Sequence, residues 1–405
     1  MTLARHEEQA ALRGLLRSVT DDLGGEIRDE WVKALTAVPR HLFIPNRIWV
    51  GENNEPLDRA NDPTGWLSAA YANAPVVTQV NDGTDSEDGE VWPSSSASMP
   101  SVVVRMLEDL AVREGMKVLE VGSGTGWNAG LLAYRLGDAN VTTVEVDARV
   151  TAAARTALGR AGLRPEVVCA DGGAGWPAGQ PFDRIICTCA VNRVPGAWLD
   201  QVRPGGVILT PWENPWIGWG MLRLTVRDGL AEGRFMPYGS FMLMRGHRSD
   251  LRIFRDVVRD DHVPDESATD LDPWAVAGQD LDAQFAVGSR LGDVWHARQH
   301  DPDVDGVAVR LWLATTDASS WAAVDWDGAE DVERFTVWQY GPRRLWDETE
   351  AAYRWWLDQG RPGPDRFSLT ATRDGQSVWL DTPANLVRDG DGSPAAPQSR
   401  VRGPR

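Results

Sequence analysis

A loop with three alternating glycines separates a strand-like run from a helical run in the segment VLEVGSGTGWNAGLL, residues 118–132. Four more apolar, strand-like runs follow, at residues 140–147, 165–171, 182–191 and 205–212. Helical runs lie between the first three strands, and such alternation predicts a parallel, doubly wound sheet. We expect residues 218–245 to add antiparallel edge strands, so the predicted fold class is α/β.

The length of the chain predicts more than one domain, because 405 residues exceed what a single hydrophobic core usually serves. An acidic stretch at residues 250–273 indicates the junction. The expected division is an N-terminal helical and substrate-side segment at 1–80, a ligand-binding core at 81–249, an α+β accessory domain at 250–388 and a disordered tail at 389–405.

Around the core, residues 3–18 and 26–37 have the apolar spacing of amphipathic helices. The segment VPRHLFIP at residues 38–45 lies between prolines and predicts an extended stretch. Residues 81–98 read as a polar loop, and a helix is expected to begin at Pro100.

The glycine loop fits neither of two common nucleotide motifs. A dinucleotide loop needs a third glycine where Trp127 stands, and a phosphate loop needs a lysine that is absent. Glycines nevertheless let a ligand approach the backbone, and the helix after them offers free N–H groups to a carboxylate. Glu145 and Asp171 end the next two strands, where they could accept hydrogen bonds from ribose hydroxyls and an adenine amino group.

This arrangement resembles the S-adenosylmethionine site of class I methyltransferases, which have a Rossmann-like fold. The resemblance implies S-adenosyl-L-methionine as cofactor and S-adenosyl-L-homocysteine as product. The open alternative is a tight turn that binds nothing. The cofactor-binding residues that the resemblance implies are Glu120, Gly122, Ser123, Gly124, Thr125, Gly126, Glu145, Val146, Asp171 and Gly172.

Several segments occur in the order seen in protein-L-isoaspartate O-methyltransferases and resemble that family over about residues 8–245. They are VPRHLFIP, AYANAPV, the helix after SASMP, VLEVGSGTGWNAGLLA, VRPGGVILTP and GRFMPYGSFMLM. That family methylates the side-chain or α-carboxylate of abnormal aspartyl residues, and the ester then closes to a succinimide. Ser98 matches the family's serine and is implied to orient the acceptor carboxylate as the catalytic residue; the alternative role is an N-cap for the next helix. Ser96 and Met99 are implied to line the substrate pocket, with Met99 standing where glutamine is usual.

Residues 337–381 resemble the C-terminal part of actinobacterial methyltransferases that accompany graspetide or lanthipeptide maturation. The resemblance implies a modified ribosomal precursor peptide as partner, with methylation of an L-aspartate leading to aspartimide or isoaspartate. Arg343 and Arg344 either pair with acids of such a peptide or are ordinary surface charges. Three features favour this hypothesis. They are Met99, an extension beyond Arg245 that ordinary repair enzymes are expected to lack, and a loop rich in acids. The acids of that loop are Asp82, Asp85, Glu87, Asp88 and Glu90.

Two other functions stay open: a general isoaspartyl repair methyltransferase with an accessory domain, and a non-catalytic S-adenosylmethionine-binding protein. The intact glycine loop, Glu145, Asp171 and Ser98 count against the second. A net charge of −18 argues against nucleic acid and anionic membranes as partners.

The remaining candidate chemistry is weak. His296 and His300 are predicted on a solvated helix, so no metal site is expected, and Cys187 and Cys189 are expected to pack rather than ligate. The chain has three cysteines and contains no signal-peptide core and no apolar run long enough to span a bilayer, so we expect a cytoplasmic protein. We also expect it to be a monomer.

Overall fold

The structure, a computed structural model, describes residues 5–84, 91–326 and 334–388. The acids from Asp85 to Glu90 and the predicted tail lie outside these residues. The chain divides into two compact units: Met1–Cys189, Pro195–Pro211 and Arg223–Gly229 form the first, and Ala190–Val194, Trp212–Leu222 and Leu230–Arg405 form the second. The predicted junction at residue 250 therefore falls inside the second unit.

The first unit is built from helices and strands that alternate along much of its length. Its helices are α1 Arg5–Leu23, α2 Asp29–Ala37, α3 Pro63–Ala70, α4 Pro100–Leu110, α5 Trp127–Leu136, α6 Ala148–Arg160 and α7 Gly196–Gln201. Its strands are β1 Arg47–Val50, β2 Glu55–Asp58, β3 Val76–Val80, β4 Pro93–Ala97, β5 Val118–Val121, β6 Val141–Glu145, β7 Glu166–Cys169, β8 Phe182–Cys187, β9 Val202–Pro211 and most of β10 Met221–Arg227.

The predicted parallel sheet is confirmed. The strands run in the order β9-β8-β5-β6-β7, every neighbouring pair is parallel, and β10 lies beside β9. All four residues of β5 are buried, as expected for a central strand covered on both faces. The chain leaves β5 towards β6 and β7 on one side and returns to β8 and β9 on the other. Such a change of direction is where open α/β sheets bind ligands, at the carboxyl ends of the strands.

Two expectations for the segments before β5 are wrong. The residues read as a polar loop contain β4, which pairs with β3 in a small antiparallel sheet of order β2-β1-β3-β4. Its sequence is PSSSA, and serine and proline carry no strand signal. The VPRHLFIP segment contains a 3-10 turn at Arg40–Phe43 rather than an extended stretch. The turn directs the side chains of Arg40 and His41 inwards, where both are buried.

The second unit carries strands β11 Leu230–Met236, β12 Asp265–Thr269, β13 Val294–His300, β14 Val309–Thr315, β15 Trp321–Trp326, β16 Phe335–Tyr340, β17 Phe367–Ala371, β18 Gln376–Leu380 and β19 Leu386–Arg388. Its helices are α8 Pro273–Ala277, α9 Leu281–Leu291 and α10 Leu345–Asp358. One antiparallel sheet has the order β12-β16-β15-β14-β13, and β11 pairs in turn with β17, β18 and β19. The predicted α+β character is present.

The helix predicted around His296 and His300 is wrong, because both residues lie on β13 and pair with β14. The Nε2 atom of His296 is 3.0 Å from the carbonyl oxygen of Trp216, and burial lowers the pKa of the ring to about 4. His296 is thus a neutral, half-buried residue at physiological pH. Within the described ranges no group of three or more acidic, histidine or cysteine side chains is placed to hold a metal ion. No described helix combines the length and apolarity that a membrane crossing requires.

Candidate active site

The glycine loop joins the carboxyl end of β5 to the first turn of α5. Gly122 has φ 91° and Gly124 has φ 50°, a left-handed backbone conformation that other residues rarely adopt. These angles fold the loop so that the Gly124 N–H points at the end of the neighbouring strand, β6. Gly126, at the N-cap of α5, completes the turn.

Glu145, the last residue of β6, receives that N–H. Its carboxylate accepts hydrogen bonds from the backbone N–H of Gly124 at 3.0 Å and of Asp147 at 3.1 Å. The side chain is only half-buried, so each oxygen keeps a lone pair on its solvent side. Val146 follows it with 48% of its surface exposed, an apolar patch directly beside a carboxylate.

The end of β7 contributes the next carboxylate. Asp171 is exposed, and one of its oxygens accepts the N–H of Gly173 at 2.9 Å. Gly172 is buried, with its carbonyl accepting the indole N–H of Trp198. The structure therefore brings Glu145 and Asp171 to one edge of the sheet with the glycine loop, as the sequence predicts.

Glu120 lies beneath the loop rather than at its surface. Its carboxyl group is fully buried and accepts hydrogen bonds from the Thr143 hydroxyl at 2.5 Å and the Asn128 amide at 2.7 Å. The Thr143 oxygen is also 2.6 Å from the hydroxyl of Ser123, a loop residue. Burial raises the pKa of Glu120 to about 7. Since Glu120 has no exposed surface, it is placed to support the loop, and a direct contact with a ligand is not available to it here.

We expect Glu120→Gln to remove a pH dependence of stability. Because the folded-state pKa lies above the ordinary value of 4.5, the folded protein binds this proton more tightly, and its unfolding free energy falls as pH rises from 4.5 to about 7. The amide introduced by the substitution would keep the Asn128 bond and donate to Thr143. The melting temperature of the variant relative to the wild type should therefore rise between about pH 5 and about pH 8. A constant difference across that range would contradict the assignment.

Ser96, one of the predicted substrate-side residues, lies beside the glycine loop. A Cβ atom placed on Gly124 would be 3.6 Å from the Ser96 carbonyl oxygen, in van der Waals contact. Ser98 follows β4 and is half-buried. The alternative role of Ser98 as helix cap is wrong: the N-cap of α4 is Met99, with no side-chain cap hydrogen bond. The Ser98 hydroxyl is left available for another partner.

Arg40 holds the acceptor segment in place, and sequence reasoning missed it. Its guanidinium is buried and donates hydrogen bonds to five backbone carbonyls at 2.9–3.2 Å, those of Ala70, Ala72, Ala74, Ala97 and Ser98. It also lies 5.3 Å from the ring of Trp127, the first residue of α5. The sequence feature that could have pointed to Arg40 is its charge within the otherwise largely apolar segment VPRHLFIP. Arg40 thus lies between the backbone of Ser98 and the start of α5.

Arg343 and Arg344, the other predicted substrate contacts, lie in the second unit and are paired there. Arg343 donates to Asp293 at 2.8 Å and to Glu348 at 2.5 Å, which raises its pKa. Arg344 donates to Asp265 at 2.7 Å. Binding of an acidic peptide by these guanidiniums would have to compete with carboxylates already present.

Comparison with known proteins identifies the family of this chain. The family model for Protein-L-isoaspartate(D-aspartate) O-methyltransferase matches residues 22–224. The Protein-L-isoaspartate O-methyltransferase of Methylorubrum extorquens is 34% identical over 223 residues, 54% of this chain and 83% of that protein. The protein of the same name from Pyrococcus abyssi is 38% identical over 208 residues, 51% of this chain and 77% of that protein.

A solved structure named protein-L-isoaspartate O-methyltransferase is similar in fold over most of the chain. Its TM-score is 0.52 at 19% sequence identity, and the match covers 92% of this chain and 100% of that one. For this one protein of that name the fold similarity continues beyond residue 250, so a C-terminal extension is not confined to the maturation enzymes.

Proposed function

Because this chain belongs to the protein-L-isoaspartate O-methyltransferase family of S-adenosylmethionine-dependent enzymes, we propose that it methylates the carboxylate of isoaspartyl residues in proteins and peptides generally. The observation that carries the proposal is the close approach of the two halves of the site. A Cβ atom placed on Gly124 would be 3.6 Å from the Ser96 carbonyl oxygen, so the segment around Ser96 lies beside the glycine loop.

The residues at the sheet edge fit S-adenosylmethionine. The half-buried Glu145 carboxylate has lone pairs suited to ribose hydroxyls, and the exposed face of Val146 suits an adenine ring. Asp171 is exposed, and its Oδ2 atom could accept a hydrogen bond from the adenine amino group. When bound, the cofactor supplies an electrophilic methyl group. Glu145, Val146 and Asp171 would hold it against the backbone of the glycine loop.

The acceptor side needs no strong base. A carboxylic acid with a pKa of about 4 is already ionised at neutral pH. Catalysis would then depend on how the chain orients a carboxylate oxygen towards the methyl group that the bound cofactor would supply. Ser98 donates the orienting hydrogen bond, and Arg40 fixes the Ser98 backbone at 2.9 Å. The products are a methyl ester and S-adenosylhomocysteine; the next backbone nitrogen then displaces methanol to give the succinimide.

The direct test is methylation of an isoaspartyl peptide beside the same peptide with an ordinary aspartate, with the ester detected by mass spectrometry. General repair requires esterification of several unrelated isoaspartyl sequences and little reaction with the aspartyl controls. Cofactor binding without any ester formation would favour the non-catalytic binding protein instead.

Ser98→Ala is expected to lower kcat on an isoaspartyl peptide by about fivefold to 150-fold, the effect of losing a hydrogen bond of about 1–3 kcal/mol. Affinity for S-adenosylmethionine and the melting temperature should stay near wild type, because the hydroxyl does not cap α4. Ser101→Ala is the matched control, since it removes a nearby buried hydroxyl that has no hydrogen-bond partner. Equal turnover by the two variants would remove Ser98 from the mechanism.

A second candidate is methylation of an aspartate in a modified ribosomal peptide. Met99 in place of the usual glutamine and the resemblance of residues 337–381 favour it, although the extension itself is no longer a distinguishing argument. In this proposal residues 250–388 recognise the peptide. Truncation after Ser249 is a poor test, because β11 would lose its pairing with β17. Mass spectrometry with a matured peptide from a neighbouring gene is the better one, and preference for it over isoaspartyl peptides would establish this candidate.

A further inference from the structure

A groove runs along α6 in the first unit, with a cavity volume of about 800 Å³. One end is formed by Gly124 and Thr125 of the cofactor loop and by Ser95 of β4. The floor is a stripe of α6 whose members recur every three or four residues, as one face of a helix requires. The stripe consists of Arg149, Val150, Ala153, Thr156, Ala157 and Arg160. We call this feature the α6 groove.

The lining of the α6 groove is rich in arginine, although the whole chain has a net charge of −18. Arg59, Arg149 and Arg160 all line it. Within the described part of the chain none of the three makes an ion pair with a carboxylate: Arg149 donates to the Gly83 carbonyl, and Arg59 stacks on Trp66 at 4.4 Å. Glu8 is the acidic residue among those that line the groove, with a carboxylate oxygen 2.7 Å from His41 Nε2, so three arginines face one carboxylate there.

The dimensions of the groove suit an extended chain. Arg149 and Arg160 are eleven positions apart on one helix, a distance of about 16 Å at 1.5 Å per residue. An extended peptide covers that distance with about five residues. A small anion or a single side chain would occupy only a fraction of this length.

We propose that the α6 groove holds the peptide segment adjoining the methylated residue, and that it selects substrates with acidic side chains in that segment. This inference rests on the proposed function, since it takes the methyl acceptor to be part of a peptide. The groove begins where Ser95 and Gly124 meet, so a peptide with its acceptor at the cofactor loop has one flank directed into it. Cations without carboxylate partners favour an anionic occupant, and the acidic remainder of the protein would otherwise repel such a peptide.

The experiment compares isoaspartyl peptides that differ only in charge. One peptide carries three glutamates before the isoaspartate, a second carries them after it, and a third has glutamines at all these positions. Kinetic constants are measured at low and high salt with wild type and with Arg149→Gln/Arg160→Gln. Arg155→Gln is the matched control, because Arg155 lies on the same helix outside the groove and donates to the Val167 carbonyl.

The wild type is expected to have a KM about fivefold to twentyfold lower for one of the glutamate peptides than for the glutamine peptide. The double variant should lose this preference while its kcat on the glutamine peptide and its cofactor affinity stay unchanged, and Arg155→Gln should keep it. High salt should reduce the preference in the wild type. Arg149→Lys/Arg160→Lys should retain most of it.

Equal KM values for all three peptides, or a preference that survives in the double variant, would overturn the inference and leave the proposed function intact. Failure of the wild type to methylate any of the three peptides would instead contradict the proposed function. The two failures are therefore distinguishable in one set of assays.

Discussion

Gly124→Val is expected to weaken S-adenosylmethionine binding at least about a hundredfold, which in practice abolishes it. Gly124 has φ 50°, where any L-residue costs about 1–2 kcal/mol and a β-branched one costs more. Relief of that strain would turn the Gly124 N–H away from Glu145, and the added side chain would press on the Ser96 carbonyl. Isothermal titration calorimetry on protein with a wild-type circular dichroism spectrum measures the loss.

Two further glycine variants make this result specific. Gly124→Ala should lose less affinity, because alanine tolerates the left-handed region better than valine. Gly159 lies on α6, and a Cβ atom added there would meet no neighbouring atom within 4 Å. The S-adenosylmethionine affinity of Gly159→Ala should therefore equal that of the wild type. If folded Gly124→Val bound the cofactor normally, the loop would not be the binding site.

Arg40→Met is expected to lower the free energy of unfolding by about 3–5 kcal/mol. The variant leaves five backbone carbonyls without their donor, and the two at Ala70 and Ala97 are buried, where water cannot readily replace it. Because Arg40 would no longer bind the Ser98 carbonyl, Ser98 should be less well positioned, and kcat per folded molecule should also fall. Chemical denaturation gives the stability, and turnover normalised to the folded fraction gives the activity.

Arg40→Lys separates charge from geometry. A lysine keeps the buried charge but has three donors on a single atom, so it cannot span carbonyls from two segments. We expect an intermediate stability and a kcat still below wild type. Arg47→Met is the control, because Arg47 is exposed and its main contact is the ring of Trp49. Wild-type stability of Arg40→Met would show that the carbonyls find other donors.

The active-site edge of the sheet could be predicted from the sequence because its signals are local. Apolar runs, glycines and an acid at the end of each strand lie within short segments. Once the strands are parallel, their carboxyl ends necessarily meet at one edge. This is why Gly124, Glu145 and Asp171 all lie at the carboxyl ends of adjacent parallel strands.

The sequence by itself thus determined the α/β class, the parallel strands and the sheet edge at which the cofactor site is proposed, since periodicity and glycine spacing act over a few residues. Only the tertiary structure decided what depends on contacts between distant segments. The Arg40 side chain points inwards and binds carbonyls up to 58 positions away in the sequence. The segment PSSSA is a strand because it pairs with β3, and Glu120 is buried beneath the glycine loop. No local pattern encodes these outcomes, because the free energy that selects them comes from burial and hydrogen bonds formed only after the chain has folded.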